Sequence, residues 1–286
     1  MLEIEELMIN MCDFKGTVCE NEFDARWKSV TKKAENIGNK KVDGVYLGFE
    51  FCPNMLSRCD ITKVVDQIQR IHEEGLTVTW VIPPLYERHL ERYKSFLQIL
   101  LRDAAIDECV VNDFGTLHLL RKELQWKKTI IMGRLFDKSV REFRVDVKQY
   151  EEIKRNEEAF QRPGFCSEKM QMFAQLYEVH QFETDTIPNS VLNLEEWTRK
   201  MKISVHYPRI LLSRAAYCEF DGVNVEKEQK FLLRTSCGGV CDTYEKVIHG
   251  EPEREIYKAG LAIMGFQKQP LEESVRGRIR MVYSEG

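Results

Sequence analysis

Short apolar runs alternate along this chain with longer amphipathic stretches, and the two periodicities predict strands and helices in turn. Residues 7–11 read as a strand, 23–37 as a helix that stops at Gly38, and 42–47 as the next strand. Asp60 stands where an N-cap would, ahead of the stripe Ile61, Val64, Val65 and Ile68, which ends at Gly75. The β-branched run at 76–82 stops at Pro83 and Pro84. Tyr86, Leu90, Tyr93, Leu97, Leu100 and Ala104 recur at helical spacing; residues 109–111 then predict a strand, 116–124 a helix and 129–132 a strand. Residues 139–177 form the longest stretch without a strand signal, charged and mostly helical in pattern, with a break at Pro163 and Gly164. Further on, 179–183 and 202–206 read as strands around a helix at 192–200, and 210–216 and 256–266 as later strands.

Seven or eight strands alternating with helices predict a TIM-like α/β barrel; a doubly wound sheet fits the same alternation. No repeat, low-complexity tract or linker divides the chain, so a single (β/α) barrel domain is expected over 1–266, followed by a C-terminal tail at 267–286. Barrels gather their functional residues at the C-terminal ends of the strands, and Cys52, Asp113, Arg134 and Cys218 each follow a predicted strand closely.

Composition narrows the setting. With 43% hydrophobic and 31% charged residues the chain has both a core and a soluble surface, and its formal charge of −4 gives no reason to expect DNA as a partner. No apolar run reaches the roughly 18 residues of a membrane helix. The acidic N-terminus is unlike a secretory signal, so the nine cysteines are expected as reduced thiols in the cytoplasm.

Those cysteines carry the clearest candidate chemistry. Cys237-Gly-Gly-Val-Cys241 can turn two sulfurs toward one centre, with the glycines letting the backbone approach. Cys218 is the nearest third thiol and Cys52, after the strand at 42–47, a fourth. Four thiolates suit an iron–sulfur cluster or structural zinc about equally. A rival set is Cys12, Cys19, Cys52 and Cys59, two pairs of equal spacing. Taken singly, Cys12, Cys19, Cys59, Cys109 and Cys166 read as core or surface thiols. Asp113 is either a substrate contact or a turn cap. Arg134 either grips a carboxylate in bidentate fashion or pairs with a loop carboxylate such as Asp137. Glu50, two residues before Cys52, is an acid–base candidate. The histidines, His118 and His206 among them, read as surface or satisfied core groups. No zinc-protease helix, serine-nucleophile elbow or phosphate loop is present.

The segments from Gly44 to Cys52, Val111 to Gly115 and Gly133 to Asp137, followed by Ser213 to Cys218 and Cys237 to Cys241, occur in an order that resembles the peptidase U32 family. The likeness spans about Lys41 to Gly265 and is strongest to the branch containing the ubiquinone-biosynthesis proteins UbiU and UbiV. It implies a barrel-like domain and a [4Fe–4S] cluster held by Cys52, Cys218, Cys237 and Cys241. Two features depart from the family pattern. Ser213-Arg-Ala-Ala-Tyr precedes Cys218 where a compact Ser-x-Arg-Cys is usual, and eighteen residues separate Cys218 from Cys237.

The expectation is an iron–sulfur enzyme or enzyme subunit of barrel type, acting in oxygen-independent hydroxylation or another modification of a small molecule or RNA. Asp113, Arg134 and Glu50 are its catalytic candidates. A peptidase, with a peptide substrate, is the second reading. A non-catalytic, cluster-bearing partner of a second U32-like subunit is the third.

Overall fold

Eight parallel strands close into a barrel in the computed structural model, which describes residues 1–12, 23–103, 105–137, 139, 162–187, 190–222, 225–230, 232, 238–242, 246–248 and 256–285. In chain order the strands are β1 (Leu2–Asn10), β2 (Gly44–Gly48), β3 (Thr77–Val81), β4 (Glu108–Val111), β5 (Thr129–Met132), β6 (Gln181–Asp185), the short β7 (Leu192–Asn193), β8 (Lys202–Tyr207), β9 (Arg209–Arg214), β10 (Lys246–Ile248), β11 (Ile256–Ala259), β12 (Ala262–Phe266) and β13 (Val275–Ser284). The barrel runs β1-β2-β3-β4-β5-β6-β8-β13, and β13 pairs back onto β1 to close it. This is a TIM-like α/β barrel, as the alternation predicts.

Helices cover the outside. Among the described residues they are α1 (Phe23–Gly38), α2 (Ile61–Glu73), α3 (Glu87–Asp103), α4 (Phe114–His118), α5 (Glu168–Leu176) and α6 (Leu271–Ser274). The α2 start follows the sequence signal: the Asp60 side chain accepts a hydrogen bond from the Thr62 N–H. Val64, Ile68 and Ile71 of α2 are fully buried in the main core, which also holds Leu47, Val78 and Trp80 from the outer face of the wall.

The segment expected as a C-terminal tail is instead structural. Residues 275–284 form the closing strand, between β8 and β1. Arg276, Arg278 and Arg280 alternate along it and give it the look of a polar tail, but Arg280 is buried in the barrel, where Glu6 and Glu108 pair with it. The helix expected at 192–200 is also absent. Leu192 and Asn193 pair with Val275 and Arg276, and the Asn193 side chain accepts from the Glu195 N–H, a local bond that competes with a helix start. Residues 116–124 begin as α4 and widen into a π-helical turn at Leu119–Glu123.

The single strand expected at 256–266 is a hairpin, β11 and β12, turning at Gly260 with φ +57°. With β9 and β10 it makes a four-stranded antiparallel sheet, inserted between the seventh and eighth barrel strands. The sheet lies over the C-terminal end of the barrel. The Leu211 N–H donates to Asp185 Oδ2 at 3.3 Å, and Arg214 Nε donates to the Phe51 carbonyl at 3.3 Å. Phe51, Leu211, Tyr257, Ala262 and Met264 form a separate apolar cluster there.

Candidate functional site

Two glycines set the geometry of the barrel mouth. Gly48, the last residue of β2, has φ +122°, and a Cβ there would meet the Val81 carbonyl oxygen at 2.3 Å. At Gly133, after β5, a Cβ would meet Asn112 Oδ1 at 2.4 Å. Both close approaches need glycine, and each delivers a charged side chain within two residues: Glu50 after β2 and Arg134 after β5.

These two meet. Arg134, 2% exposed, donates through Nη2 to Glu50 Oε1 and through Nη1 to Asp185 Oδ1 at 2.9 Å. Its guanidinium also lies 5.1 Å from the centre of the Phe51 ring. Burial works against the charge, but Glu50 and Asp185 outweigh it and hold Arg134 firmly protonated. Asn10 Nδ2 donates to Glu50 at 3.3 Å and to Ser284 Oγ at 3.1 Å, tying β1 and β13 to the same centre. The loop partner expected for Arg134, Asp137, is engaged elsewhere. It accepts from the N–H groups of Ser139 and Gly164 and from Thr184 Oγ1.

Asp113 stands apart from this centre. Its carboxylate caps α4, accepting from the Thr116 N–H at 2.7 Å and the Thr116 hydroxyl at 2.6 Å, and it accepts from the Leu85 N–H at 3.0 Å. That is the cap geometry of its second sequence reading.

Below Arg134 lies a buried group that the sequence reading passed over. Glu183 Oε1 is 3.3 Å from His206 Nε2, with 4% and 2% of the two side chains exposed. Burial raises the Glu183 carboxyl to about 7, against the opposing pull of Arg134, the Tyr46 hydroxyl and Arg280. The Tyr46 hydroxyl is itself pushed well up, first by burial and then by the charge of Glu183. A carboxyl that exchanges its proton near neutrality beside a permanently charged guanidinium is the combination general acid–base chemistry needs. His206 is therefore a buried neighbour of a carboxyl, and not the surface group that was one of its readings. The missed signal is period-two spacing. Glu183 and Asp185 of β6, and Ser204 and His206 of β8, fall on alternate positions and so share the inner face, although the strand predicted at 179–183 stops short of Asp185.

Cys52, Cys59 and Cys218 border the 3₁₀ turn Pro53–Arg58. Cys52 is the N-cap of that turn and Cys59 its C-cap. Cys218 borders a cleft with Pro53 and Asn54. Gly239 lies against Arg58, where a Cβ would meet the guanidinium carbon at 2.4 Å, and Cys241 nearby is buried. The Tyr93 hydroxyl of α3 is pushed well up, first by burial and then by Cys52 and Cys59. Cys237, like Cys19 of the rival set, lies outside the described residues. Among the described residues, no three of His, Cys, Asp and Glu form a metal-binding group. Cys109 is fully buried in the core and Cys166 is buried beneath α5.

The sequence matches no protein-family profile and no curated protein. The structure of the U32 peptidase Mk0906 is similar at 13% identity and a TM-score of 0.45, over 99% of this chain and 94% of that one. No described helix is long and apolar enough to cross a membrane.

Proposed function

We propose that this chain is an iron–sulfur barrel enzyme, or the cluster-bearing subunit of one, with Cys52, Cys218, Cys237 and Cys241 as ligands of a [4Fe–4S] cluster at the rim of the mouth. One observation carries the reading. Segments far apart in sequence bring Cys52, Cys218 and the Gly239–Cys241 strand of chain to the same Pro53–Arg58 turn. A donor set of four thiolates suits iron–sulfur chemistry and equally zinc. Among the described residues Cys52, Cys218 and Cys241 do not themselves form a metal-binding group, and Cys237 lies outside them, so the reading rests on the sequence resemblance together with the shared turn.

When bound, such a cluster supplies one-electron transfer. The chain's own groups supply the rest. Arg134 presents a fixed positive charge, Glu50 and Asp185 hold its orientation, and Glu183 gives or takes a proton close to neutral pH. The substrate is a small molecule or RNA, modified without oxygen, and a second U32-like chain is the partner this reading favours.

Cysteine replacement tests it. Cys52 and Cys59 bracket one turn and differ in side, which makes them a matched pair. Anaerobic purification of Cys52→Ala should yield protein that has lost its brown colour and its iron and sulfide. Cys59→Ala should keep both near the parent level. The reverse result transfers the site to the rival set, and a colourless parent carrying one tightly held zinc rejects the iron–sulfur reading.

A further inference from the structure

Beneath Arg134, the Tyr46 hydroxyl is a buried polar group with no hydrogen-bond partner among the described residues. Tyr46 itself is 1% exposed. It lies on β2 and Glu183 on β6, four strands apart around a ring of eight, so the two side chains approach from opposite walls. The Tyr46 ring stands edge-on to His206 of β8, with centres 6.1 Å apart and planes at 89°. That imidazole is also the group 3.3 Å from Glu183 Oε1, an oxygen that makes no hydrogen bond among the described residues. A phenol from one wall and a carboxyl from the other thus flank the same ring, each with a polar atom unused.

Strand register supplies a second acceptor. Ser204 of β8 is the paired neighbour of Glu183, so their side chains stand next to each other on the inner face. The Ser204 hydroxyl accepts from Gln181 Nε2 at 3.1 Å and has a further lone pair. The Tyr46 hydroxyl therefore faces two acceptors, Glu183 and Ser204, and is bonded to neither.

We propose that Tyr46 is a positioning residue of the mouth: its hydroxyl closes onto the Glu183 carboxylate when that group gives up its proton, and opens when the proton returns. A buried donor left unmade is costly, and an ionised carboxylate accepts far more strongly than a neutral one. The bond forms only in the ionised state, so it eases release of the proton. No water has to reorganise, because the hydroxyl is already desolvated. Burial first, and then the charge of Glu183, keeps the phenol protonated, so Tyr46 acts as a donor and never as a base. The other charged groups facing the pair are Arg134, with its partners Glu50 and Asp185, and Arg280 of β13, with Glu6 and Glu108. Both arginines stay charged through the exchange. This role deepens the proton exchange assigned above to Glu183 and rests on it, but it does not need the cluster.

Infrared titration of the full chain in heavy water tests it, reading the stretch of the protonated carboxyl from about pH 5 to 9. The band absent from Glu183→Gln belongs to Glu183. Tyr46→Phe keeps the ring and loses only the oxygen, and Glu183 should then hold its proton about tenfold more tightly. Ser204→Ala removes the competing acceptor and should move the same titration the opposite way. A purely packing role for Tyr46 predicts neither movement. An unchanged titration in Tyr46→Phe, movement of both variants in one direction, or no Glu183 band in the parent at about pH 5 overturns the assignment. Thermal unfolding checks that both variants fold. If Tyr46→Phe does not, Ser204→Ala decides, and an unchanged or raised midpoint there rejects the proposal. The titration can be read equally in iron-free Cys52→Ala protein, so this proposal and the cluster reading fail separately.

Discussion

The two faces of the barrel wall are made by the same strands and obey different rules. On the outer face, Leu7 and Ile9 of β1, Val45 and Leu47 of β2, and Val78 and Trp80 of β3 are all fully buried against the helices. Turned inward on those strands and their neighbours are Glu6, Tyr46, Thr79, Glu108, Glu183, Ser204, His206 and Arg280. They mix with a small apolar layer of Met8, Val81, Val110, Ile131 and Val282. Arg280 crosses the interior from β13 to reach Glu108 on β4, which in turn accepts from Thr79 at 2.9 Å. Stability on the outer face comes from area removed from water. Inside, it depends on every charge finding its counter-charge, because a single loss strands the rest.

The largest expected effect exposes that asymmetry. Trp80→Ala removes a fully buried indole that packs edge-on against Phe49 and should cost about 3–5 kcal/mol. Arg280→Met should cost a comparable amount, about 3 kcal/mol, by leaving Glu6 and Glu108 without their cation. The two differ in repair. Combining Arg280→Met with Glu6→Gln and Glu108→Gln should recover most of the loss, since no uncompensated charge then remains. No polar change elsewhere should rescue Trp80→Ala. Denaturant unfolding of the four proteins decides it, and a triple variant no more stable than Arg280→Met would show that the interior is held by packing alone.

The same contrast explains what could be read from the sequence. Outer-face positions are apolar at alternate places along short runs, and helix stripes such as Ile61 to Ile68 answer them, so the barrel was legible. Interior positions break the apolar pattern. That is why β13, with Arg276, Arg278 and Arg280, passed for a tail although it closes the barrel. It is also why Glu183 is not a candidate in the sequence and His206 reads there only as a surface or satisfied core group. Glu50 and Arg134 were legible because each follows a strand, but their meeting was not: 84 positions separate them, and Asp185, which completes the centre, comes 51 positions after Arg134. The covering sheet was half legible. Residues 256–266 carry the apolar content of strands, and only the turn at Gly260 divides them into two. The cysteines were legible as residue types; that Cys52 and Cys218 border the same Pro53–Arg58 turn was not, because they lie far apart in sequence.

A smaller effect, and one that only the inner face can produce, concerns pH. Glu183 has an ordinary value of 4.5 and is raised to about 7 in the fold, by burial foremost, with Arg134, Tyr46 and Arg280 pulling the other way. The folded protein therefore holds a proton that the unfolded chain gives up first. Stability from this group is complete below about pH 4.5, declines as pH rises, and is gone above about pH 7, a fall of up to about 3 kcal/mol. Glu6 works in the opposite sense: its carboxyl is lowered on balance, although burial is its largest influence, because Arg280 and Lys202 outweigh it. Its contribution is lost only as pH falls below 4.5, so the two windows do not overlap. Glu183→Gln keeps the shape and stays neutral, so its stability should decline less between pH 5 and 7.5 than the parent's. Phe182→Leu, on the outer face of the same strand, should shift the whole curve by about 1 kcal/mol and leave its slope unchanged. Urea unfolding across that range reads both. Parallel curves for parent and Glu183→Gln would mean that Glu183 is already ionised in the fold, and the proton-exchange role at the mouth would pass to another group.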